Sequence, residues 1–127
     1  KCGFEYDSRR ILCGNYPMAK AHNVGYELCQ KLIRSGVPFD SVFCLTDMMA
    51  LGALKALFEH GYSVPRDVSV IGCDDLDFTG FFLPALTTIQ VDKKAEGYAY
   101  VDFILDDDVS ENAVRKIGTK LVERSSV

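Results

Sequence analysis

Two rhythms of apolar and polar positions alternate along the first part of the chain. "RILCG" (10–14), "SVFCL" (41–45) and "VSVIGC" (68–73) are short, nearly continuous apolar runs, the pattern of strands covered on both faces. Between them apolar residues recur at helical spacing. "PMAKAHNVGYELCQKLIRSG" (17–36) sets Ala21, Gly25, Leu28 and Leu32 on one stripe, with Pro17 in its first turn and Gly36 as its stop. "TDMMALGALKALFEHG" (46–61) sets Ala50, Leu51, Leu54, Leu57 and Phe58 on a buried stripe, with Thr46 or Asp47 as cap and Gly61 at its end. Strand, helix, strand, helix, strand predicts right-handed crossovers and an α/β fold, a parallel sheet flanked by helices.

The pattern then changes. "FTGFFLPALTTI" (78–89) reads as an aromatic, proline-interrupted connection into a short β run. "KKAEGYAYVDFIL" (93–105) is helical, weakened by Gly97. "DDDVSEN" (106–112) is a charged loop, and "TKLVER" (119–124) is a last strand at a sheet edge. No internal repeat or linker divides the chain.

In an open parallel sheet, ligands meet the carboxyl ends of the strands. Here those ends carry Asn15, the pair Thr46-Asp47, and the pair Asp74-Asp75, all converging on one rim. Adjacent carboxylates repel, and one beside an apolar core needs hydrogen bonds or a counter-charge. One acid of the 74–75 pair faces a ligand and the other caps the following turn; the pattern does not choose between them. Asp47 has two readings as well, a helix-capping acid stabilised by the helix dipole or a ligand contact. Tyr16 stacks on a ligand face or is an ordinary half-buried tyrosine.

Composition narrows the function classes. With 127 residues, 48% hydrophobic and 25% charged, the chain has the size and balance of one soluble domain. No apolar run approaches the roughly 20 residues that span a bilayer. Net charge is −4, and no basic cluster exceeds the dipeptides Arg9-Arg10 and Lys93-Lys94, which argues against direct contact with a phosphate backbone. Five cysteines, at 2, 13, 29, 44 and 73, form no CxxC, and with two histidines they offer no zinc site. Cys13, Cys44 and Cys73 sit in apolar runs and read as buried, reduced thiols, which points to a reducing, cytoplasmic compartment. The first residue is Lys, so the chain reads as part of something longer.

Catalytic motifs are missing: there is no GxSxG, no P-loop and no GxGxxG, and neither His22 nor His60 stands near a nucleophile in the pattern. "DDLD" (74–77) after a strand admits a phospho-accepting site, but no metal partner set or positioned lysine accompanies it. The expectation is a non-enzymatic chain without a cofactor.

The stretch "PFDSVFCLTDMMALGALKALFEHGYSVPRDVSVIGCDDL" (38–76) resembles the effector-binding core of the LacI/GalR family of transcription regulators, and "PALTTI" (84–89) and "LVERSS" (121–126) match two further stretches in order. The resemblance implies a type I periplasmic-binding-protein-like fold, a sugar or purine-like effector bound between two lobes, a homodimer, and DNA contacted only through a helix-turn-helix domain outside this chain. It implies that residues 10–89 and 118–127 form most of the C-terminal lobe, while 92–112 belongs to the first lobe. Carried over by position, Asp74 is the acid that bonds the effector, Thr46 faces the cleft, Asp47 opens the next helix, and Tyr16 stacks on the effector. Two departures stand out. About one extra helical turn separates Tyr16 from Asp47, so anchoring on Gly25-Tyr26 puts Lys20 in the aromatic's place. Val91 replaces a position that is often polar.

Two other readings belong beside this one. A periplasmic sugar-binding protein of a transport system would share the fold, though unpaired cysteines argue against an oxidising compartment. A small α/β hydrolase using the acid pair is the other. The resemblance also implies that helix 93–105 lacks its partner sheet here, so that Tyr98, Tyr100, Val101, Phe103, Ile104 and Leu105 dock elsewhere, swap between copies or drive dimerisation.

Overall fold

Helix α2 (Asp47–Glu59) is the centre of the fold, with Ala50, Ala53, Leu54, Ala56 and Leu57 all buried. The computed structural model describes residues 7–14, 20–106 and 114–127. One side of α2 packs on α1 (Ala21–Ser35) and another on the sheet. The predicted stripe is therefore rotated: Leu51 and Phe58 are exposed, and Gly52, Ala53 and Ala56 take the buried positions. Small residues win there because the two helices nearly touch. A Cβ on Gly25 would stand 2.0 Å from the Met49 carbonyl oxygen, and one on Gly52 would stand 1.9 Å from that of His22.

The sheet contains β1 (Ser41–Phe43), β2 (Ser69–Asp74), β3 (Thr87–Val91) and β4 (Thr119–Val122), in that spatial order. The first three are parallel and β4 is antiparallel to β3 at the edge. Register pairs Phe43 with Ile71, Asp74 with Gln90, and Thr88 with Val122. The core joins Cys29, Cys44, Val68, Val70 and Leu86 to the apolar residues of α2. The chain end is stitched in by Ser126, wholly buried, whose hydroxyl donates to the Val70 carbonyl (2.6 Å) and accepts from the Thr87 N–H (2.8 Å).

Two expectations need correction. Residues 11–14 form no strand, and Ser8–Arg10 is a short 3-10 turn. A strand needs a partner for its backbone groups, and this segment stands off from β1 across an open cavity of about 510 Å³ lined by both. Cys13 is consequently exposed and Cys73 half-buried, whereas Cys29 and Cys44 are the buried thiols. Burial pushes the Cys44 thiol up to about 12 and Cys29 to about 11, so both are neutral and apolar near pH 7. Pro17 as first-turn residue and most of the 106–112 loop lie outside the described residues.

Helix α3 runs from Lys93 to Leu105, over the predicted span, capped by Asp92, whose Oδ1 accepts from the Lys94 and Ala95 N–H groups. It buries none of its residues. Tyr98, Tyr100, Val101, Ile104 and Leu105 are all exposed.

Candidate functional site

The rim at the carboxyl ends of β1 and β2 gathers three of the four expected site residues. Thr46 caps α2, its Oγ1 accepting from the Met49 N–H at 3.2 Å. Asp47 follows as the first residue of the helix, with no exposed surface. Its Oδ1 accepts from the Thr88 hydroxyl at 2.6 Å and its Oδ2 from the Leu76 N–H at 2.9 Å. A buried carboxylate so engaged is affordable because charged hydrogen bonds and the helix N-terminus replace water. Asp47 thus ties α2, β3 and the loop after β2 together, and it does not reach the surface. Tyr16 and Asn15 lie outside the described residues. Lys20, the alternative in Tyr16's place, is exposed at the N-terminus of α1.

Gly72 makes room for this arrangement. A Cβ there would stand 2.3 Å from Asp47 Oδ1 and 2.9 Å from Leu86 Cδ2. The glycine lets the acid lie flat on β2, under the turn that carries the acid pair.

The pair itself divides. Asp75 is committed to the fold: Arg124 Nη2 donates to its Oδ1 at 2.6 Å and Gln90 Nε2 to its Oδ2 at 2.7 Å. The backbone at both residues lies at positive φ, 124° for Asp74 and 50° for Asp75. Among the described residues, Asp74 meets the Lys93 ammonium at 3.5 Å, a pair whose lysine is 59% exposed and correspondingly weak. Repulsion between the neighbouring acids is thereby answered by separate cations. Val91, the apolar replacement, is half-buried on β3 opposite Thr119.

Sequence reasoning missed Thr88, Arg124, Gln90 and Gly72. "TT" and "ERSS" carry no spacing that announces a partner; only the "GCDD" glycine, sitting inside a strand run, gave a signal that another group approaches closely. Among the described residues, no group of three His, Cys, Asp or Glu is placed to hold a metal ion. The apolar cavity beside β1 reaches Leu45 and Met49 next to this rim, but its lining includes none of Thr46, Asp47, Asp74 or Asp75.

The family model of the periplasmic-binding-protein-like domain matches residues 5–127. The chain belongs to that family. The HTH-type transcriptional regulator MalR of Clostridium butyricum is 36% identical over 124 residues, 96% of this chain and 36% of the relative. The chain thus spans about a third of that relative's length. Among solved structures, the transcriptional regulator CelR in complex with cellobiose superposes with a TM-score of 0.81 at 28% identity, over 98% of this chain and 38% of that one. The lac repressor dimer bound to operator and an anti-inducer gives 0.71 at 30% identity, over 80% and 36%. The resemblance to LacI/GalR regulators therefore holds, and the transport reading is not favoured. These homologues are transcriptional regulators, not enzymes.

Proposed function

We propose that this chain is the effector-sensing portion of a cytoplasmic, dimeric LacI/GalR-type regulator, non-enzymatic and without a cofactor. A sugar or purine-like effector binds at the rim, and occupancy alters operator binding by a helix-turn-helix domain carried elsewhere in a longer protein. The observation that carries this reading is the unequal fate of the rim acids. Asp47 and Asp75 have both oxygens engaged within the fold, while Asp74, among the described residues, has an exposed lysine alone against it. A carboxylate in that state is free to accept bidentate hydrogen bonds from vicinal hydroxyls or a ring N–H. Thr46, which follows the neighbouring strand β1, has its hydroxyl oxygen already engaged by the Met49 N–H and serves as a weaker contact. In this reading α3 is a first-lobe segment, and the second wall of the cleft comes from that lobe.

The test is Asp74→Ala in the full-length regulator, titrated calorimetrically with a panel of mono- and disaccharides and purine bases. The expected result is loss of binding for whichever compound binds the wild type, with operator affinity unchanged. Equal affinity in wild type and variant removes Asp74 from the site.

A further inference from the structure

We propose that Arg124 is the positioning residue of the rim: through Asp75 it holds the backbone that sets where the Asp74 carboxylate stands. The proposal rests on the reading of Asp74 as the effector-facing acid. It begins from two consecutive non-glycine residues at positive φ, 124° and 50°. An aspartate tolerates the left-handed helical region of residue 75, but the conformation of residue 74 is one that side chains rarely adopt. Such backbone persists only where its surroundings over-determine it.

The surroundings here are specific. The Asp74 side chain is only loosely held, its ion pair with Lys93 being long and exposed, while its backbone ends β2 opposite Gln90. The anchor is on the next residue. Arg124 Nη2 and Gln90 Nε2 take one oxygen each of the Asp75 carboxylate, and the Asp75 N–H leans on Thr88 Oγ1 at 3.4 Å. Leu76, one residue on, is tied to buried Asp47. Residue 74 is therefore held between the β2–β3 ladder on one side and these bonds on the other.

Arg124 is itself rigidly placed. Its Nη1 donates to the Leu86 carbonyl at 2.7 Å and to Thr79 Oγ1 at 3.1 Å, and its backbone N–H to Thr87 Oγ1 at 2.9 Å. The Arg124 and Asp75 side chains are 23% and 13% exposed, so water screens the pair little. One arm of the guanidinium grips the scaffold while the other grips the acid. A lysine ammonium, a single point charge on a flexible stem, cannot span both sets of acceptors.

The experiment is solution NMR on this chain, without ligand, comparing wild type with Arg124→Gln and Arg124→Lys. The readouts are the HN–Hα couplings of residues 74 and 75, which report φ, and hydrogen exchange at the Leu76 amide. Both variants are expected to shift those couplings toward negative φ and to speed Leu76 exchange about tenfold or more, with the α1 and α2 amides unchanged. If Arg124→Gln does not fold, Arg124→Lys decides alone, because it keeps the charge and loses only the fork. Native couplings in a folded Arg124→Lys chain overturn the proposal. Because no effector is involved, that outcome is separate from a failure of the Asp74 reading, which shows only in the calorimetric test.

Discussion

Gly72 and Asp47 are in contact across the face of β2: the space a methyl group would need at 72 is taken by Asp47 Oδ1, 2.3 Å from the Cβ position. A hydrogen where other residues carry carbon is what allows a wholly buried acid at the start of α2. Gly72→Ala should therefore push Asp47 away from Thr88 and Leu76. We expect a loss of about 2–3 kcal/mol, the scale of overpacking a rigid site, read as a lower urea midpoint at unchanged slope. A midpoint equal to wild type would mean that Asp47 shifts without cost.

Thr88 gives a finer probe of the same acid. Thr88→Val keeps the shape but removes the hydroxyl that donates to Asp47 Oδ1, leaving a buried charged acceptor short of a partner. The expected cost is about 1–3 kcal/mol, while Thr88→Ser, which keeps the hydroxyl, should cost clearly less. Equal losses in the two variants would assign the effect to packing rather than to the hydrogen bond.

The difference between Asp47 and Asp74 explains how far the sequence could be read. Helices 46–61 and 93–105 and the central strands were legible because apolar period depends on each segment alone. The rim was legible too, since acids after strand ends must converge in a parallel sheet. Which acid faces outward was not: Asp47 and Asp75 are occupied by Thr88, Gln90 and Arg124, residues 15 to 49 positions away along the chain. The strand expected at 10–14 failed for a related reason. Apolar character specifies burial, but pairing depends on what lies alongside, and a cavity lies there.

The cysteines separate by accessibility, and burial sets the acidity of two of them. Cys13 is exposed, while Cys29 and Cys44 are buried and raised to about 11 and 12. The thiolate is the reactive form. Between pH 7 and 9.5, exposed Cys13 should be the first of these sites to be alkylated. Labelling at Cys29 and Cys44 should stay slow and still be climbing at the upper end, because folded-state pKa values lie above that window. Peptide mass spectrometry after timed iodoacetamide treatment distinguishes the sites. Rapid labelling of Cys44 at pH 7.5 in folded protein would contradict its burial.

Helix α3 poses the last problem, because 13 residues are about the length at which an isolated helix is marginal in water. It carries Tyr98 at 63%, Ile104 at 80% and Leu105 at 73% exposure, so its own packing does not support it. Apolar residues on so short a helix are stabilised by covering them, and in a solution of this chain alone the available cover is another copy. The 127-residue chain should therefore self-associate as concentration rises, and Val101→Glu combined with Ile104→Glu should shift it toward monomer. Sedimentation equilibrium across a hundredfold concentration range measures this directly. A wild-type chain that stays monomeric throughout, with the helical circular dichroism of α3 intact, would show that the helix needs no cover.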